Sequence, residues 1–276
     1  MGLSSNCDCG YRESSTGSFW SEMWYMDFEE RQNFAIGNQN LYSHKDLFFS
    51  NYEIAAKFND SYSRVFRKQN VMITDESLEI AITVDGLEPF VNNENQRIIC
   101  GGIGTTRQDF LYGSFRSNMR TTNVEGTVTG MFVYHPEGEI DIEIVSAVKP
   151  SQAYFATHPG ITENGKASSL THGNYIFDFD PSQDYHEYRF DWYPDLTVFY
   201  IDSIEQYRIT TNVLAQPSRV MFNHWTDGNQ NFSQGPAKEN AYLNIKNMTF
   251  FFNSSDTLLS TPKCINVNTT CNIESI

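Results

Sequence analysis

Three carboxylates stand at alternate positions in Gly138-Glu139-Ile140-Asp141-Ile142-Glu143-Ile144, each separated from the next by an isoleucine. Alternate side chains of a β-strand share one face, so Glu139, Asp141 and Glu143 point together while Ile140, Ile142 and Ile144 fill a core behind them. Four residues of strand put the Cα atoms of Glu139 and Glu143 roughly 13 Å apart. Two glutamate side chains leaning together close most of that gap. Carboxyl groups about 5 to 5.5 Å apart suit double-displacement cleavage of a glycoside, one acting as nucleophile and the other as acid and then base. Asp141 between them makes it costly for all three to ionise, so a proton is retained near neutral pH, as a general acid requires. A solvated acidic edge strand is the competing explanation. The poor strand propensity of Asp and Glu argues against it, because nothing structural calls for three in register.

Such chemistry needs neighbours that hold a sugar. In Met221-Phe222-Asn223-His224-Trp225, Asn223 and Trp225 share a strand face, offering an amide for hydroxyls beside an indole for stacking. Core packing of Trp225 at a strand end is the alternative. Phe232, in the polar loop Gly228-Asn229-Gln230-Asn231-Phe232, extends the aromatic platform, and a glycan on Asn231 would crowd it. A second polar face is expected from Tyr112, Ser114, Arg116, Asn118 and Arg120, with Leu111, Phe115 and Met119 on the core side. Its arginines either orient hydroxyls on a concave surface or are solvated.

The elements that position these residues read as strands. Leu78, Ile80, Ile82 and Val84 alternate with Glu79, Ala81 and Thr83; Tyr188, Phe190 and Trp192 alternate with Glu187, Arg189 and Asp191; Leu196, Val198 and Tyr200 follow a turn. Turn residues such as Asp85-Gly86 and Asp227-Gly228 separate them, and no stretch carries helical periodicity. This predicts an all-β sandwich of antiparallel sheets. Residues 1–18 read as an irregular amino-terminal arm, 19–252 as one domain and 253–276 as a polar tail. In the tail Cys264 and Cys271 are expected to form a local clip, leaving Cys7 and Cys9 as partners for Cys100.

Composition narrows the function. A net charge of −15 argues against a nucleic-acid partner, because phosphate binding needs a basic stripe and the sequence shows none. No apolar run is long enough to span a membrane, and the amino end has no signal-peptide core or myristoylation pattern. The histidines lack metal-ligand spacing, Gly101-Gly102-Ile103-Gly104 lacks the third glycine of a dinucleotide loop, and no nucleophile elbow occurs. With 21 Phe, 15 Tyr and 4 Trp the chain is rich in rings that suit both sheets and sugar faces. N-x-S/T sequons at Asn59, Asn231, Asn247, Asn253 and Asn268, with the cysteines, predict a secreted or cell-wall protein.

Glu139-Ile140-Asp141-Ile142-Glu143 resembles the signature of glycoside hydrolase family 16. Tyr112-Gly113-Ser114-Phe115, Gly126-Thr127-Val128-Thr129-Gly130-Met131-Phe132, His186-Glu187-Tyr188-Arg189-Phe190-Asp191-Trp192 and Asn223-His224-Trp225 follow in the order of that family's fungal members, so the similarity covers about residues 19–252. The resemblance implies a β-jelly-roll sandwich of two antiparallel sheets with a concave substrate cleft, acting on a β-glucan polysaccharide as a monomer. It implies Glu139 as nucleophile, Asp141 as assisting carboxylate and Glu143 as acid/base, with Asn223 and Trp225 in sugar subsites. It implies no catalytic cofactor and no metal in the site; some members hold a structural calcium on the convex side, with ligands not mapped onto this sequence. Many members carry a sugar-contacting arginine near the position of Gly104, and here Arg107 is the candidate replacement. Glu137 stands where bacterial lichenases have tryptophan, and Phe232 where fungal relatives often do. The implied activity is retaining endo-hydrolysis of β-1,3 or mixed β-1,3/1,4-glucan. The alternatives are a wall transglycosylase with the same carboxylates and a catalytically silent glucan-binding protein.

Overall fold

The period-two segments become strands in the computed structural model, which describes residues 7, 9–29, 41–84, 97–258 and 270–273. The Asp85-Gly86 turn, Cys264 and the Asn268 sequon lie outside the described residues. Isoleucines 140, 142 and 144 are buried to 3% exposure or less, so the acid-bearing strand Gly138–Val145 has one fully apolar face. That face must meet another sheet.

The front sheet runs His172–Ile176, Gln152–His158, Gly138–Val145, Val128–His135, Arg219–Trp225, Arg97–Thr105, Ser63–Phe66 and Glu53–Ile54, with Leu47–Phe49 also pairing Arg97–Thr105. The back sheet runs Ile204–Ile209, Thr197–Ile201, His186–Trp192, Phe110–Arg120, Ala241–Ser254, Leu78–Ile82 and Val71–Ile73, and Glu22–Asp27 pairs the long strand Ala241–Ser254. Pairing within both sheets is antiparallel except between Ser63–Phe66 and Arg97–Thr105. Phe155 of the front sheet stacks on Phe199 of the back sheet with ring centroids 4.7 Å apart, and Phe115, Phe190, Trp192 and Phe250 complete one continuous core. Each such side chain contributes about 1.5–3 kcal/mol on burial. The molecule is a β-jelly-roll sandwich. Among the described residues no helix is long and apolar enough to cross a membrane.

The ends of the chain differ from expectation. Tyr11–Arg12 pairs antiparallel with Phe19–Trp20 and parallel with Cys271–Asn272, so arm and tail meet in a small sheet. Cys7 bonds Cys271 with Cα atoms 5.4 Å apart, which replaces the expected Cys264–Cys271 clip. Cys9 is disulfide-bonded as well. Cys100 is a free thiol buried in a cluster with Phe66, Ile82 and Ile98, where desolvation pushes its pKa up to about 12. It cannot reach the arm, because its strand belongs to the other sheet.

The arm also carries a buried acid. Glu13, 1% exposed, accepts from Arg116 Nη2 at 2.6 Å, Arg189 Nη2 at 2.8 Å and Thr16 Oγ1 at 2.9 Å. Arg189 in turn grips Asp191 with Nε at 2.7 Å and with Nη2. Both faces of His186–Trp192 are therefore covered: Phe190 and Trp192 by the core, Arg189 and Asp191 by the arm.

Candidate active site

The outer face of the front sheet holds the acid row. Alternation along Gly138–Val145 delivers Glu139, Asp141 and Glu143 to it, and cross-strand register surrounds them. Glu139 lies between Tyr134 and His158, Asp141 between Phe132 and Ala156, and Glu143 between Gly130 and Tyr154. Gly130 separates Glu143 from Asn223, and a Cβ there would come within 2.5 Å of Asn223 Oδ1. The missing side chain is what lets the amide lie beside the acid.

Electrostatics follow from burial. Desolvation, the charge of Asp141 and a shared hydrogen bond push the Glu139 pKa up to about 8, with His158 opposing. Desolvation and the charge of Glu139 push Glu143 up to about 7, with His158 and Arg64 opposing. Asp141, 6% exposed, is raised by desolvation and by Glu143, and its hydrogen bond with Glu139 works the other way. Three carboxylates in one row thus hold protons at neutral pH. A group that keeps some protons and releases others near pH 7 can supply an acid and a nucleophile together.

Rings flank the row on its Glu143 side. Trp225 and Phe232 are near-parallel, 19° apart with centroids at 6.1 Å, and Tyr154 stands 6.4 Å from Phe232. Arg64 lies over the Trp225 ring at 4.4 Å. Asn223 Oδ1 is buried without a hydrogen-bonding partner among the described residues, an acceptor available to a bound hydroxyl. On the Glu139 side, Tyr134 is half exposed and Arg219 covers Phe48 at 4.2 Å.

Asn223, Trp225 and Phe232 therefore stand together with the acids. Tyr112, Arg116 and Arg107 do not. Tyr112 and Arg116 belong to Phe110–Arg120, a back-sheet strand whose polar face looks away from the acid row. Tyr112 sits edge-on to Trp192 at 5.3 Å, and Arg116 serves Glu13. Arg107 is held at the sandwich edge by Asp109 at 2.7 Å and Glu22 at 2.9 Å. Strand alternation alone does not say which sheet a strand joins, so it does not separate these three from residues of the acid-bearing face. Tyr134, Tyr154, His158 and Arg64 show the converse: register across strands, which no local pattern carries, brings them to the row.

An all-β sandwich with a carboxylate row on an open face defines a class of fold shared with known glucanases. A Bacillus licheniformis beta-glucanase structure superposes with a TM-score of 0.63 at 21% identity, covering 83% of this chain and 97% of that one. Residues 40–243 match Glycosyl hydrolases family 16, and the chain belongs to that family. A xylanase/beta-glucanase of Ruminococcus flavefaciens is 30% identical over 167 residues, 57% of this chain and 20% of that protein. A beta-glucanase of Acetivibrio thermocellus is 32% identical over 126 residues, 44% of this chain and 36% of that protein. The match spans about a fifth to a third of the length of these two relatives.

Proposed function

We propose that the chain is a retaining endo-β-glucanase that hydrolyses β-1,3 or mixed β-1,3/1,4-glucan. The observation that carries this reading is the proton-holding row of Glu139, Asp141 and Glu143 on an open sheet face beside Trp225, Phe232 and Asn223. The printed names of the relatives, beta-glucanases among them, agree with it.

Glu139 acts as nucleophile. Its carboxylate attacks the anomeric carbon while Glu143 gives its proton to the leaving oxygen, so a glycosyl ester forms as the glycosidic bond breaks. Glu143, now ionised, then takes a proton from water, whose oxygen attacks the same carbon and frees Glu139. Asp141 hydrogen-bonds Glu139 and holds it in place through both steps. In the free protein Glu139, pushed up to about 8, holds its proton more tightly than Glu143 at about 7, and the productive arrangement has the remaining proton moved to Glu143. Asn223 accepts from a sugar hydroxyl, and Trp225 with Phe232 forms the apolar wall.

We place the enzyme outside the cell, at or in a wall. The disulfide Cys7–Cys271 suits an oxidising compartment. Of the sequons among the described residues, Asn59 and Asn231 are exposed, whereas Asn247 and Asn253 are half-buried. Asn59 is the expected glycan site, since a glycan on Asn231 would stand next to Phe232.

Reducing-sugar release from lichenan, laminarin, xyloglucan, agarose and galactan tests the substrate. Release is expected from the first two, with the new anomeric centre formed as β by NMR. An inverted product refutes the mechanism, and longer chains in the presence of an oligosaccharide acceptor favour the transglycosylase. Tight laminarin binding with no release from any polymer favours the silent binder.

A further inference from the structure

We propose that His158 is a positioning residue of the reaction, an imidazole that holds the Asp141 carboxylate and supplies the positive counter-charge on the nucleophile's side of the acid row. The inference rests on the glycosidase reading above. His158 ends the strand Gln152–His158, directly opposite Glu139. Its Nε2 lies 3.3 Å from Asp141 Oδ2, at ion-pair distance. That oxygen is buried and makes no hydrogen bond among the described residues, so the imidazole meets it at charge-pair distance and not through a formed hydrogen bond. An orphaned carboxylate oxygen at this depth costs about 1–3 kcal/mol or more, a cost that a charged imidazole at this distance offsets in part.

The surroundings hold the ring in place. His158 meets His172 edge-on, with centroids 5.9 Å apart at 90°. Thr171 Oγ1 lies 3.0 Å from His172 Nδ1 and accepts from the Ile161 amide at 2.8 Å, so the Thr171 hydroxyl is free to donate to that nitrogen. Gly160 makes room: a Cβ there would come within 2.7 Å of the His172 ring and 3.5 Å of His158 Nδ1. On its other side His158 lines a cavity of about 230 Å³ with Glu137, Pro159, Asn212, Leu214 and Gln216. The charged or titratable groups facing it are Asp141, Glu139 and Glu143 from the acid strand, His172 from the adjoining strand, and Glu137 across the cavity.

The consequence is a division of labour within the row. Asp141 shares a hydrogen bond with Glu139 and turns Oδ2 toward His158, so the imidazole biases which way the assisting carboxylate faces. In its imidazolium form it also favours the ionised forms of Glu139 and Glu143 against their burial. That bias lets the nucleophile ionise without emptying the whole row of protons. The side chain is 45% exposed at the cleft surface.

His158→Gln keeps the size and removes the charge; His158→Lys restores a charge without the ring. In full-length protein, ¹³C NMR titration of the Glu139 and Asp141 carboxyls is expected to move up by about half a unit or more in His158→Gln and to return toward wild type in His158→Lys. On the glucan that wild type cleaves, His158→Gln is expected to shift the acidic limb of kcat/KM upward by the same amount. Its kcat is expected to fall about tenfold or more, with KM within about twofold. Carboxyl titrations identical to wild type in a folded His158→Gln protein would overturn the proposal. Should wild type cleave no glucan, the activity reading falls, and the NMR shift still decides whether His158 governs the row.

Discussion

Against the back sheet two carboxylates, Glu13 of the arm and Asp191, meet two guanidiniums, Arg116 and Arg189; on the front sheet three carboxylates share one imidazole, 3.3 Å from Asp141. Glu13 and Asp141 are buried, Glu139 and Glu143 half-buried, and the pKa of Glu13 moves the opposite way to those of the row. Burial by itself would raise Glu13, but Arg189 and Arg116 outweigh it and hold its pKa below the ordinary carboxylate value. Glu139, Asp141 and Glu143 are all raised. The first cluster ties the amino-terminal arm to the sandwich, with every charge matched. The second leaves repulsion unresolved and keeps protons as a result. Matched charge is what a structural joint needs, and unmatched charge is what an acid catalyst needs, at a cost in stability.

The contrast breaks most sharply at Glu143. Glu143→Gln is expected to lower kcat on polysaccharide by about 10²–10⁴-fold, because the amide donates no proton to the leaving oxygen. Steady-state kinetics check this, and circular dichroism should show an intact fold. Glu13→Gln is the mirror experiment. It leaves Arg116 and part of Arg189 buried without their partner and is expected to cost about 3–5 kcal/mol of stability in denaturant titration. The activity of the molecules that remain folded should be unchanged, since the arm lies on the sheet opposite the acid row.

A smaller effect separates the clusters by pH. Folding raises Glu143 from 4.5 to about 7 and Glu139 from 4.5 to about 8, so the folded state holds protons that the unfolded state gives up. The stability from those protons is fully present below pH 4.5 and is lost as pH rises through about 7 and 8. Glu143→Gln, which does not titrate, is therefore expected to gain on wild type by about 1–2 kcal/mol between pH 5 and pH 8 in melts across that range. Glu13 runs the other way: its contribution is present above its unfolded value and fades as the solution is acidified.

The two clusters also differ in how far they could be read from the amino acids alone. The front row is local information. Strict alternation of acid and isoleucine fixes strand, face and chemistry within seven residues, and Asn223 with Trp225 shows the same period. The back cluster is long-range information. Glu13 sits in a Ser-rich stretch without periodicity, 103 residues from Arg116 and 176 from Arg189. Arg116 itself lies on a strand that alternates just as a cleft strand would, and its role changes with the sheet it joins. His158 is hidden in the same way, because its place opposite Glu139 is set by the register of a hairpin. The cysteines are the extreme case, with Cys7 and Cys271 separated by 264 residues.

The central claim is that an unmatched acid row carries out double displacement with Glu139 as nucleophile. Glu139→Ala, supplied with an activated aryl β-glucoside and azide, tests it most directly. The small side chain leaves space for azide on the face opposite the leaving group. Recovery of turnover with an α-glycosyl azide as product is the predicted result, identified by the anomeric proton coupling. A β-glycosyl azide would make Glu139 the acid/base instead, and turnover undiminished without azide would remove it from the chemistry.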